Sequence, residues 1–91
     1  MEDTVELLSR PANFAVVHLP GRNFPGVVVQ GDTLNGLVQH LSVMAQMLER
    51  GELDELAREL SDIREQLSGA LAHYDYVCAE RGIPSPYPKS R

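Results

Sequence analysis

The sequence predicts an α+β fold in which an N-terminal three-stranded antiparallel meander is followed by an antiparallel pair of long helices. Short runs rich in β-branched residues, separated by turns containing proline and glycine, fill the first third of the chain. Apolar residues spaced by three and four then continue to about residue 81. A chain of 91 residues suffices for one domain, which we place at residues 1–83, with 84–91 as a flexible tail.

Strands are predicted at residues 4–9, 13–19 and 27–30, because these runs are apolar or β-branched and end at turn-forming residues. In the second strand Val16 and Val17 point to opposite faces, and apolar neighbours accompany both. At least one face of the sheet therefore needs a helix to cover it.

The first helix is predicted over residues 33–50, with Asp32 or Thr33 as its N-cap and Gly51 as the residue that ends it. Its apolar residues recur at helical spacing and predict one core-facing stripe about a hundred degrees wide. The stripe contains Leu34, Leu37, Val38, Leu41, Met44, Ala45 and Leu48.

The second helix is predicted over residues 53–81, ending at Gly82, with Ile83 folding back on Cys78. Its apolar residues keep heptad spacing for more than three repeats, which is typical of a helix–helix seam. The seam contains Leu53, Leu56, Leu60, Ile63, Leu67, Ala70, Tyr74 and Val77.

The length of the second helix suggests self-association. A helix of this length spans ~43 Å, whereas a compact globule of this size is roughly 30 Å across. Either the sheet covers the far end of the helix, or a kink at Ser68-Gly69 folds it back, or another chain covers it. We favour a homodimer, because a small domain without a disulfide often needs extra burial. The candidate self-association surface contains Leu67, Ala70, Leu71, Tyr74, Val77 and Cys78.

A loop dense in glycine and proline, residues 20–32, is the candidate partner or ligand loop. Arg22 either locks this loop by pairing with Glu6, Asp32 or backbone carbonyls, which we favour, or presents its guanidinium to an anionic ligand. Phe24 is expected to plug the core. The candidate loop residues are Arg22, Asn23, Phe24, Gln30 and Asp32.

The segment PGRNFPGVVVQGDTL resembles an uncharacterised family of small bacterial proteins with the pattern PGRxFPGVxxQGDxL. The resemblance covers about fifteen of the 91 residues and implies a recurrent loop with no assigned activity. It implies no cofactor and no catalytic residue.

Charge and composition exclude several functional classes. The net charge of −5 and the scattered basic residues argue against nucleic-acid binding. No apolar run is long enough to cross a membrane, and the acidic start MEDTVELL is unlike a signal peptide, so a cytoplasmic location is expected. His18, His40 and His73 have no metal-binding spacing, and Cys78, the only cysteine, is expected to be a buried thiol. We predict no metal and no cofactor.

These observations favour a non-enzymatic protein–protein interaction module, a homodimer with a possible heterologous protein partner. Its acidic charge suits an immunity or antitoxin-like accessory protein that meets a basic partner. The alternative is a small ligand-binding domain or enzyme with a pocket formed by His18, Arg22, Gln30 and Asp32.

Overall fold

The structure, a computed structural model, describes residues 4–10 and 13–88. Along the chain it contains β1 (Glu6–Leu7), β2 (Phe14–His18), β3 (Gly26–Val29), α1 (Gly31–Arg50) and α2 (Leu53–Glu80). The predicted α+β fold, an antiparallel three-stranded sheet followed by two helices, is confirmed. The chain divides into two compact units: the sheet unit, formed up to Val29 and from Leu71 onward, and the hairpin unit, Gln30–Ala70.

In the sheet, β2 lies between β1 and β3, with Glu6 opposite His18 and Phe14 opposite Val29. Strand β1 is shorter than the predicted run 4–9. Leu8 still donates its amide to the Val16 carbonyl at 2.8 Å, but the Val16 amide donates to the Ser9 hydroxyl oxygen at 2.8 Å. A side chain thus replaces the next backbone acceptor, and the strand ladder ends.

The last part of α2 covers one face of the sheet. The core of the sheet unit is the buried cluster of Leu8, Val16, Tyr74, Val77 and Cys78. Of the three arrangements considered from the sequence, the sheet therefore covers the far end of the helix. Helix α2 is unbroken from Leu53 to Glu80, so its helical assignment continues through Ser68 and Gly69.

The start of α1 differs from the prediction. The helix begins at Gly31, and Gln30 is its N-cap without a side-chain capping bond. The Leu34 amide donates to the Gln30 carbonyl at 2.9 Å, which starts the helical ladder two residues before the predicted first residue. Asp32 therefore lies inside the first turn, where its carboxylate favours the positive end of the helix dipole. The prediction of Asp32 or Thr33 as N-cap was wrong.

Both predicted helix ends are confirmed. Gly51 and Gly82 adopt left-handed backbone conformations, with φ of 73° and 68°. The Glu52 amide donates to the Met47 carbonyl at 2.9 Å, and the Ile83 amide donates to the Cys78 carbonyl at 2.8 Å. These are the bonds of a Schellman ending, which needs a residue without a Cβ at the left-handed position. Ile83 packs against the cluster that contains Cys78, as predicted.

Candidate functional site

The two helices of the hairpin unit meet along an inner row of side chains. The His40 Nε2 atom lies 2.6 Å from the Glu59 Oε1 atom, so the faces of α1 and α2 that carry these residues are turned toward each other. On α1 the inner row is Leu37, His40, Met44 and Met47, and on α2 it is Leu56, Glu59 and Ile63, with Glu52 just before the helix; all are buried or half-buried. Throughout residues 30–70, which the structure describes in full, only Met44 and Ile63 are buried.

A second apolar row runs along each helix and is exposed. Leu34, Leu41 and Leu48 on α1 are 53, 53 and 62% exposed. On α2, Leu53, Leu60 and Leu67 are 61, 49 and 46% exposed. Each trio repeats every seven residues, which keeps it on one side of a helix. Single exposed leucines are common on protein surfaces, whereas a continuous row of exposed leucines is typical of an interaction surface.

The two exposed rows lie on the same side of the hairpin. On α1 Leu41 follows the inner-row residue His40, and on α2 Leu60 follows the inner-row residue Glu59. The other leucines of each row lie seven residues away and so on the same side of their helix. One position turns a helix by about 100° in a constant direction. Because the two helices run antiparallel, equal turns bring both rows to one side of the pair. We call this surface the hairpin face; it contains Leu34, Val38, Leu41, Ala45, Leu48, Leu53, Ala57, Leu60, Arg64 and Leu67.

The opposite side of the hairpin is mostly polar. It carries Gln39, Glu55, Asp62 and Gln66, and its one large apolar residue is Val43, which is 44% exposed. The hairpin face, by contrast, contains one charged residue, Arg64, beside a shallow depression of about 320 Å³ lined by Ala57 and Leu60. The prediction of a single core-facing stripe on α1 was wrong, since the same residues divide into an inner row and an exposed row.

The candidate self-association residues have different positions. Tyr74, Val77 and Cys78 are 6, 6 and 3% exposed and belong to the core of the sheet unit. They are covered by their own chain. The predicted burial of the Cys78 thiol is confirmed. Leu67 and Leu71 are exposed, and Ala70 is half-buried.

The sheet unit contains an open groove of about 560 Å³ beside β1. One wall is the chain from Leu7 to Arg10, and the other is the end of α2 from His73 onward, together with Arg81. The lining residues are Leu7, Leu8, Ser9, Arg10, His73, Tyr76, Val77, Glu80 and Arg81. The buried residues Leu8 and Val77 form an apolar floor, and the exposed residues Arg10, Glu80 and Arg81 lie at the rim.

The Arg81 side chain is held at this groove by a hydrogen bond to the backbone of Leu8. Its Nη2 atom donates to the Leu8 carbonyl at 3.0 Å, and its Nη1 atom lies 3.9 Å from the Glu6 Oε2 atom. The ion pair is long and exposed and therefore weak. In the described ranges, 4–10 and 13–88, the Arg10 guanidinium has no hydrogen-bond or ion-pair partner.

The loop before β3 is closed by a histidine. The His18 Nε2 atom lies 2.8 Å from the Arg22 carbonyl oxygen, and the Arg22 amide donates to the Leu19 carbonyl at 3.3 Å. Among residues 4–10 and 13–88 the Arg22 guanidinium forms no hydrogen bond or ion pair, so the expected lock is not formed there; Arg22 is exposed, and the Glu6 carboxylate lies near Arg81. Phe24 is 42% exposed, so the expected core plug was wrong; the neighbouring Pro25 is buried in its place.

Gln30 and Asp32, the other candidate loop residues, are exposed, as is Asn23. His18 and Arg22 lie in the sheet unit, whereas Gln30 and Asp32 lie in the hairpin unit. Neither the groove nor the depression is lined by any of these four residues of the alternative pocket. Within the described part of the chain, no group of three or more potential metal ligands lies together.

Residues 1–87 match the model of a family of unknown function, DUF6959. The chain belongs to this family. No significant match to the chain was found among curated proteins or among solved structures. The family match includes both the sheet and the hairpin and extends far beyond the loop segment whose pattern suggested an uncharacterised family.

In this DUF6959 protein the sequence interpretation missed two features. The hairpin face has a signal in the sequence, because two apolar rows offset by one position give α1 more apolar surface than one partner helix covers. The groove also has a partial signal: His73, Tyr76 and Glu80 recur at helical spacing beside the buried row of α2. No sequence signal points to Arg10 as part of the groove, since only the fold brings it near α2. No helix in the described residues has the length and hydropathy needed to span a membrane.

Proposed function

We propose that this protein is a non-enzymatic protein–protein interaction module that forms a homodimer through the hairpin face. The single observation that carries the proposal is the pair of exposed leucine rows, 34-41-48 and 53-60-67, on one side of a hairpin with only two buried residues of its own. Two such hairpins packed face to face make a four-helix bundle, which is a common way to bury a two-helix apolar surface.

The size of the face is sufficient for a dimer. Helix rise and interaxial spacing make it ~25 Å long and ~20 Å wide, so that two copies bury ~1,000 Å² in total. A specific protein–protein interface needs about that area. The face has equal rows from two antiparallel helices, so a two-fold axis brings leucine rows onto leucine rows.

Charge favours a second copy with its loop at the opposite end of the bundle. Arg64 lies on the part of the face far from the loop at Gly51. The loop end is acidic on balance: Glu49, Glu52 and Asp54 outnumber Arg50, which lies 4.0 Å from Glu52. A two-fold axis perpendicular to the helices brings Arg64 of one copy to the acidic loop end of the other. Opposite charges at matching positions stabilise one register over others.

The test is light scattering on the full chain over a dilution series, with Leu41→Glu and its matched control Val43→Glu. Both residues are exposed on α1, at 53 and 44%, but they lie on opposite sides of the hairpin. We expect the unmodified chain and Val43→Glu to be dimers. Leu41→Glu loses two buried leucines per dimer, so the association weakens by at least ~4 kcal/mol, or about 1,000-fold in Kd.

Circular dichroism should show that Leu41→Glu keeps its helical content, because Leu41 is exposed in the single chain. A monomeric unmodified chain at all concentrations, or a Leu41→Glu variant that dimerises as well as Val43→Glu does, would contradict the proposal. The immunity or antitoxin-like role considered from the sequence rests on the net charge of −5 alone. No contact among the described residues adds to it.

A further inference from the structure

In the described part of the chain no strand pairs with the outer edge of β1, and the groove beside this edge has an apolar floor. Leu8 donates its amide across to β2, and alternate residues of a strand direct their backbone groups to opposite edges. Leu7 therefore directs its amide and carbonyl away from β2, along the groove that it lines. An extended peptide adds to such an edge through backbone hydrogen bonds.

The groove is large enough for a short peptide, since cavities of roughly 300–1,000 Å³ accommodate small ligands, and this one measures about 560 Å³. Leu7 and Val77 provide apolar surface, and Tyr76, which is 62% exposed, provides an aromatic wall with a hydroxyl group. A ligand that lies here contacts apolar side chains over most of its length.

The charge of the groove differs from that of the whole chain. The chain carries −5, whereas Arg10 and Arg81 outnumber Glu80 among the lining residues with a permanent charge. Arg81 uses one guanidinium donor on the Leu8 carbonyl, and its Nη1 atom lies 3.9 Å from the exposed Glu6 carboxylate, a weak pair. A guanidinium has five donors, so donors remain for a second carboxylate. Arg10 has no side-chain partner among residues 4–10 and 13–88.

We propose that this groove binds an extended segment of another protein that carries an apolar residue and, two positions later, a carboxylate. The segment adds to the β1 edge at Leu7, its apolar side chain packs near Val77, and its carboxylate pairs with Arg10 and Arg81. Two residues is the spacing that puts side chains on one face of a strand. The site lies in the sheet unit, and its function does not depend on dimerisation through the hairpin face.

The test uses two blocked pentapeptides, acetyl-Thr-Val-Thr-Glu-Thr-amide and the same peptide with glutamine in place of glutamate. Each is titrated into the isotopically labelled full chain while amide NMR shifts are followed. We expect shifts at Leu7, Arg10 and Tyr76. We also expect binding of the glutamate peptide to be several-fold to about tenfold tighter than that of the glutamine peptide, as a charge-assisted hydrogen bond provides.

Arg10→Gln should reduce the preference for the glutamate peptide, because Arg10 contributes half of the cationic pair and only Arg81 is left. The matched control is Arg22→Gln, an equal charge change on an exposed arginine of the same unit that does not line the groove. It should keep the preference. Glu80→Gln should tighten binding of the glutamate peptide about two- to threefold by removing a repulsive carboxylate.

Three results with the two peptides overturn the proposal: no shifts at the groove at millimolar peptide, equal affinity for the two peptides, or an Arg22→Gln effect as large as that of Arg10→Gln. Hexanoate has a carboxylate and an alkyl chain but no peptide backbone. It therefore distinguishes binding of a peptide from binding of a small aliphatic acid. Binding of hexanoate as tight as that of the glutamate peptide overturns the assignment to a peptide. Weaker binding supports it.

Discussion

The hydroxyl group of Tyr74 donates a hydrogen bond to the carbonyl oxygen of Pro25 at 2.8 Å. Tyr74 lies on α2, and Pro25 precedes β3, 49 positions earlier in the chain. Both residues are buried, and burial raises the pKa of the Tyr74 hydroxyl group. This bond joins the candidate loop, through Pro25, to Tyr74 in the core of the sheet unit. The loop is therefore anchored to the helix that covers the sheet.

Replacing Tyr74 by phenylalanine should destabilise the protein by about 1–2 kcal/mol, because the buried Pro25 carbonyl loses its donor. The free energy of unfolding from urea denaturation measures the effect. Tyr76→Phe is the matched control, since Tyr76 is 62% exposed on the same helix, and its change should be close to zero. Equal effects of the two substitutions would contradict a structural role for the bond.

Two glycines should respond to alanine with opposite signs. Gly82 has a φ of 68°, where a Cβ atom is strained, so Gly82→Ala should destabilise the protein by ~1 kcal/mol or more. Gly36 lies inside α1 at ordinary helical φ, and a Cβ atom there meets nothing within 4 Å. Gly36→Ala should therefore stabilise the protein by about 0.5–1 kcal/mol. The midpoints of urea denaturation, compared at an unchanged dependence on urea concentration, give the sign of each change in stability. A destabilising Gly36→Ala would contradict the open, regular helix at Gly36.

The contact between Tyr87 and Asp75 should depend on alkaline pH. The Tyr87 hydroxyl group donates to the Asp75 carboxylate, which raises the pKa of Tyr87 to about 12 from an ordinary value of 10.0. Because the pKa in the folded chain is the higher one, the contact stabilises the fold fully below pH 10.0 and is lost as the pH rises through about 12. NMR titration of the Tyr87 ring measures this pKa.

In the Asp75→Asn variant the pKa of Tyr87 should fall toward its ordinary value, because the negative acceptor is gone. Glu80→Gln removes an equal charge from the same helix without removing the acceptor and should leave the titration of Tyr87 unchanged. A Tyr87 pKa that does not respond to Asp75→Asn would contradict the hydrogen bond as its cause. The contact also bears on the expected tail, residues 84–91: Ser85 and Tyr87 have specific hydrogen bonds, and residues 89–91 lie outside the described residues.

The candidate sites were harder to predict than the fold. The positions of Gly51 and Gly82 could be predicted, because a helix ending requires a left-handed residue next to an apolar stripe. The exposure of Phe24 could not be predicted, since the same turn geometry allows either Phe24 or the adjacent Pro25 to enter the core. The role of Arg22 depended on which groups lie within reach of its guanidinium, and that is a property of the folded chain.

The sequence by itself determined the elements of this protein: their order, their type and the residues that end each helix. These follow from local physics, namely the period of the apolar residues and the backbone freedom of glycine. Only the tertiary structure decided which apolar residues the chain covers itself. Tyr74 and Leu67 belong to one heptad seam, yet the first is buried by the sheet and the second is 46% exposed. Periodicity determines the side of a helix on which a residue lies, whereas burial depends on the surface that faces it.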